Sequence, residues 1–102
     1  MDSKEMDIIT NYRKEELEKD RAREKVILKK LEAIEKSIDE IYNNLSNSTF
    51  TSEGYYNLSV ALMNFDKLQG SLESELDVVR HNISWNEECL SREGSEKNEY
   101  KD

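Results

Sequence analysis

The feature that most constrains this chain is the absence of anything that would stop a helix. It contains no proline and only 3 glycines. Proline removes a backbone donor and fixes φ, so it usually marks where helices end. An all-β sandwich needs turn signals every ~8–12 residues, and here they cluster at one place only. Residues 13–30 are rich in Glu, Lys, Arg, Ala and Leu, all good helix formers. Opposite charges four apart, Glu15 with Lys19 and Glu32 with Lys36, add ~0.2–0.5 kcal/mol each to a helix.

Apolar spacing shows what such helices would bury. Ile27, Leu31, Ile34, Ile38, Ile41 and Leu45 follow a 4-3-4-3-4 pattern, a heptad seam. Upstream the same register lands on Glu24, Asp20, Leu17 and Arg13, so the seam weakens before resuming loosely at Ile9 and Tyr12. The run Asn43-Asn44-Leu45-Ser46-Asn47-Ser48-Thr49-Phe50-Thr51-Ser52 gathers Asn, Ser and Thr, which favour turns and caps. Thr51 or Ser52 is the expected N-cap of a second helix, with Glu53 in its first turn and Phe50 as a staple residue.

The second helix carries a seam of Leu58, Ala61, Phe65, Leu68, Leu72, Leu76, Val79, Ile83 and, after Asn86, Leu90. The step from Leu72 to Leu76 is four where three was due, a stutter in that register. Residues 93–102 lack apolar periodicity, so a disordered polar tail is expected there. The predicted organisation is a hairpin over 1–92, with helix one at about 3–46, a turn at 47–51 and helix two at about 52–92. So short a connection makes the helices antiparallel. Counting from the loop sets Ile41 by Tyr55 and Tyr56, Leu31 near Phe65, and Leu17 near Val79. Tyr12 and Ile9 then fall near Trp85 and Leu90. The expected fold is all-α: a long antiparallel two-helix coiled-coil hairpin, part of an oligomeric helical bundle.

Composition agrees with a seam better than with a ball-shaped core. The 102 residues are 37% charged and 35% hydrophobic, against ~25% charged and ~45–50% apolar in ordinary soluble domains. The formal charge of -8 opposes generic binding to nucleic acid or anionic membrane. No apolar run approaches the ~18–20 residues that would span a bilayer, so membrane insertion is not expected. The acidic N-terminus lacks a signal-peptide centre, and Cys89 is a single cysteine that cannot form an internal disulfide. Together these point to an intracellular protein, cytoplasmic first, with the nucleus also open. Without a secretory signal, the acceptor-like triplets at Asn44, Asn47, Asn57 and Asn82 read as chance.

Helix two carries a second stripe away from its seam: Tyr56, Val60, Met63, Lys67, Gly70, Ser74, Val78, His81 and Trp85. The outer face of helix one (Lys29, Glu32, Ala33, Lys36, Asp39, Glu40, Asn43) is ordinary solvated helix. Scattered apolar surface residues need no explanation, but a row of them suits an interaction surface. Tyr56, Val60, Met63, Val78 and Trp85 are therefore the expected partner-binding residues, facing other helical chains in a homo- or hetero-oligomer. Gly70 would suit a close helix crossing, which would offset the ~1 kcal/mol cost of mid-helix glycine.

The chemistry-bearing residues are sparse. One His and one Cys, His81 and Cys89, cannot supply a zinc site or an oriented nucleophile pair alone. Glu73, Glu75 and Asp77 read as a solvated face, and no Gly-rich phosphate loop exists. The expectation is a non-enzymatic structural or adaptor subunit with no cofactor, no metal and no small-molecule substrate. A competing reading is an acidic helical protein that inhibits a basic site on a partner. Residues 13–30 hold 8 basic and 5 acidic side chains and could meet an acidic partner or the second half of another copy. Residues 1–45 total 10 and 12 against 5 and 11 for 46–102, an asymmetry that suits antiparallel complementarity.

In length and proportion the chain resembles the small type VII secretion substrates. Their Trp-X-Gly turn motif is absent, because the turn runs Asn47 to Ser52 and the single tryptophan is Trp85. In proportions it also looks like small coiled-coil subunits of vesicle-tethering and kinetochore assemblies. No motif assigns it to either.

Overall fold

The computed structural model describes residues 3–47 and 51–99, with side chains described to 46 and over 51–94. Two helices account for them, α1 at Ser3–Asn47 and α2 at Ser52–Glu99. They pack as an all-α helical hairpin, and no strand occurs among the described residues. Every described peptide is trans, and no described residue has positive φ.

The start of α2 shows how local chemistry sets a boundary. The Gly54 N–H donates to Thr51 Oγ1 at 3.1 Å, and the Tyr55 N–H donates to the Thr51 carbonyl at 3.0 Å. Thr51 is thus the N-cap, its hydroxyl satisfying a first-turn donor that has no partner within the helix. Glu53 lies in that turn, favourably placed against the helix dipole. Phe50, the expected staple, lies outside the described residues, as does most of the expected turn. Near the end of α1, Ser46 Oγ donates to the Tyr42 carbonyl at 3.0 Å. Serine back-bonding of this kind satisfies the hydroxyl inside the helix without adding to helix stability, and α1 nevertheless continues to Asn47.

At its other end α2 departs from expectation. The segment expected as a disordered polar tail from 93 is helical to Glu99, while residues 100–102 lie outside the described residues. The seam itself extends one step past its expected end, to Glu93, three positions after Leu90 and half-buried. Glu93 continues the seam with a carboxylate, which an apolar pattern cannot register.

The chain divides into two compact units. A loop unit comprises Val26–Leu76, and a terminal unit comprises Met1–Lys25 with Asp77–Asp102. In the loop unit Ile27, Ile34, Leu72 and Leu76 are buried. Around them Leu31, Ile38, Ile41, Leu45, Leu58, Leu62, Phe65 and Gln69 are half-buried. On α2 the inward positions here are 58, 62, 65, 69, 72 and 76, an unbroken 4-3-4-3-4 register. The expected stutter is therefore absent. Leu68, assigned to the seam by its hydrophobicity, is 48% exposed, and Gln69 takes the inward position. Ala61 is half-buried beside Leu62 at the seam's edge.

In the terminal unit Leu17, Val79 and Cys89 are buried together with Asp20, and Val79 is fully enclosed. The α1 seam here runs Met6, Thr10, Arg13, Leu17, Asp20 and Glu24, all buried or half-buried and again spaced 4-3-4-3-4. It does not fade before residue 27, because polar side chains occupy the same geometric positions. Ile9 is half-buried, but Tyr12, expected to rejoin the seam, is exposed, as is Trp85, its expected neighbour on α2.

Cross-helix links in this unit join Glu24 to Arg80 at 3.1 Å, Arg21 to Glu87 at 2.9 Å and Arg13 to Glu93 at 2.8 Å. These partners sit further along α2 than a count that sets Leu17 near Val79. Helical side chains lean toward their own N-terminus. Lean accounts for only part of this: Arg21 pairs with Glu87 twelve positions past that count, ~18 Å at ~1.5 Å per residue and beyond side-chain reach, so the helices pair in a register shifted from the expected one.

Candidate interaction surface

With the seams occupied by the residues above, each unit also leaves apolar side chains in water. In the loop unit α2 exposes Tyr56, Val60 and Met63, spaced four and three apart and so sharing a face. Tyr56 is 70% exposed, and Val60 is the most enclosed of the three at 38%. Lys67 and Gly70 continue that face and are exposed. Nothing lies within 4 Å of the position a Gly70 Cβ would take, so within this chain Gly70 serves no close crossing. Its value to a crossing would have to come from another molecule.

In the terminal unit α2 exposes Val78 and Trp85 one turn either side of exposed His81. Trp85 is 52% exposed. An indole half in water retains much of the large apolar area that makes tryptophan a strong interface anchor. His81 and Cys89 lie eight residues apart on this helix, about 80° apart around it, the thiol being buried and the imidazole exposed. They do not form a joint site.

The outer-face residues of α1 from Lys29 to Asn43 named above are exposed, as expected, but apolar side chains also stand in water elsewhere on this helix. It exposes Ile8 and Tyr12 in the terminal unit, and Val26, Leu28 and Tyr42 in the loop unit. Ile8 and Tyr12 lie four apart, a spacing that already marked a shared face. Tyr12 therefore shares a face with Ile8 and not the seam with Ile9.

Charge is distributed as networks and single pairs. Lys36 meets Glu32 at 3.5 Å as expected, whereas Lys19 meets Glu16, also at 3.5 Å, rather than Glu15. Arg92 pairs with Glu88 on α2. Among the described residues no group of three or more His, Cys, Asp and Glu side chains could hold a metal ion. No helix among them is long and apolar enough to cross a membrane. No protein-family model matches the chain, and neither a curated protein nor a solved structure is significantly similar to it.

Proposed function

We propose that the chain is a non-enzymatic structural or adaptor subunit that docks helical partners on the outward face of α2. The observation that carries this reading is the row Tyr56, Val60 and Met63. These residues stand exposed at helical spacing on a unit whose own seam is already filled. Val78 and Trp85 supply a second apolar patch on the terminal unit. Burying such side chains contributes ~1.5–3 kcal/mol each before association costs are met. A two-helix layer is also thin for a stable monomer, since small cores bury a modest fraction of their surface.

Partner chemistry follows from the charge around these patches. Residues 46–102 hold 11 acidic and 5 basic side chains. A helix with an apolar stripe and basic flanks complements that face; the stretch 13–30 of a second copy offers the basic excess, with Val26 and Leu28 as its exposed large apolar side chains.

Size exclusion coupled to light scattering tests the reading. At micromolar concentration the chain is expected to run above its 12.0 kDa monomer mass. Val60→Glu and Trp85→Glu should return it to the monomer with helicity retained, because both side chains are partly in water in the hairpin. Association that persists in ~1 M salt supports helix packing, since exposed charge pairs are then screened within ~3 Å. A cooperatively folded monomer indifferent to both substitutions overturns the proposal.

A further inference from the structure

We infer that the terminal unit is a salt-sensitive latch, whose two helix segments separate while the loop unit stays paired, with Glu93 as its catch. In the loop unit the twelve inward positions named above include one polar residue, Gln69. In the terminal unit Thr10, Arg13, Asp20 and Glu24 occupy four inward positions of α1, and Asn86 and Glu93 occupy two of α2. The loop unit is therefore held chiefly by apolar burial, which salt does not screen. The terminal unit depends heavily on links between charges, which salt weakens.

Glu93 stands at the centre of those links. One carboxylate oxygen accepts from Thr10 Oγ1 at 2.7 Å, and the other accepts from Arg13 Nε at 2.8 Å. The Arg13 and Glu93 side chains are 28% and 16% exposed, against 54% and 51% for Arg21 and Glu87. Enclosure strengthens a charge-assisted bond and leaves the remaining partner costly if one is removed. Glu93 lies near the end of α2 and its donors near the start of α1, so its release frees the outermost turns of the unit. Leu17, Val79 and Cys89 are the buried side chains that separation would uncover.

Cys89 reports that event, because it is the chain's one thiol and is buried in this unit. The experiment measures the rate at which a water-soluble disulfide reagent labels Cys89 in the full chain. Amide hydrogen exchange over 27–45 and 58–72 is followed in parallel. Glu93→Gln keeps the shape of the side chain and removes its charge. It is expected to speed labelling roughly tenfold, the equivalent of about 1.4 kcal/mol in the opening equilibrium. Salt at ~1 M should speed labelling of both proteins, because it screens the exposed Arg21–Glu87 and Arg80–Glu24 pairs that the variant retains and acts much less on the enclosed Glu93 pair. Loop-unit amide protection should not change in either case.

Ile34→Val, a mild core truncation in the loop unit, separates a latch from whole-molecule unfolding. With a latch it leaves Cys89 labelling unchanged; if the hairpin opens only as a whole, it accelerates labelling in step with its loss of stability. The inference is overturned if Ile34→Val speeds labelling, if Glu93→Gln leaves it unchanged, or if loop-unit amides lose protection together with Cys89.

Discussion

The loop unit and the terminal unit place side chains inward at the same four-and-three spacing, yet fill those positions with different chemistry. In Val26–Leu76 they are Ile, Leu and Phe with Gln69 the exception. In the terminal unit apolar Leu17, Val79 and Ile83 alternate with Thr10, Arg13, Asp20, Glu24, Asn86 and Glu93. Heptad geometry therefore does not require a uniformly apolar seam. It requires side chains long enough to meet and, where they are polar, partners that satisfy them. The described side chains contain no buried nitrogen or oxygen without a hydrogen-bond partner. Apolar positions supply strength in proportion to area buried, whereas polar ones favour one alignment over its neighbours, because a slipped register would leave a charge unmatched.

The largest test of this contrast truncates one buried side chain in each unit. Ile34→Ala removes a core side chain from the apolar seam and is expected to cost ~2–5 kcal/mol. Leu17→Ala, made among polar neighbours, should fall at or below the low end of that range. Urea unfolding followed by far-UV circular dichroism measures both. Equal losses would break the comparison, showing that the terminal seam is as tightly packed as the loop seam despite its composition.

An intermediate effect is expected at Asp20, a carboxylic acid side chain that is buried among the seam residues of the terminal unit. Burying a charged group costs free energy unless it is paired and hydrogen-bonded, a cost that an apolar side chain in its place does not carry. Asp20→Leu should therefore raise the urea midpoint, and by extending the apolar seam make the two units more alike. If Asp20 also specifies alignment, the more stable variant will show a broader distribution of masses in light scattering. A lower midpoint would mean instead that the carboxylate makes a net favourable contribution where it is.

These contrasts also explain which parts of the architecture could be read from residues alone. The seam from Ile27 to Leu45 was legible because hydrophobicity and spacing agree there. At Leu68 and Gln69 they disagree: hydrophobicity points to Leu68 and a stutter, whereas spacing points to Gln69 and the unbroken register that the helix has. The terminal seam was hidden for another reason. Burial of Arg13 depends on Glu93, 80 residues away in sequence, and no local pattern reveals that pairing. The same blindness made the helical segment after Arg92 look like a tail. The exposed residues Tyr56, Val60, Met63, Val78 and Trp85 were found because an apolar row is visible wherever it occurs on a helix. Their partner is a separate matter, since recognition depends on a second molecule as much as on this one.

The smallest expected effect comes from the two helical glycines in described surroundings, one in each unit. Nothing lies within 4 Å of the Cβ position at Gly70 or at Gly94, and neither has positive φ. Alanine should fit at both without strain and gain ~0.5–1 kcal/mol by restricting the unfolded chain. The two gains should be read out differently. Gly70 belongs to the apolar unit, so Gly70→Ala should raise the midpoint of whole-molecule unfolding. Gly94 adjoins Glu93 in the terminal unit, so Gly94→Ala should slow Cys89 labelling by a few-fold and leave that midpoint nearly unmoved. If both variants instead shift the midpoint equally and change labelling only in proportion, the units unfold as one. The difference in their seams would then govern alignment alone.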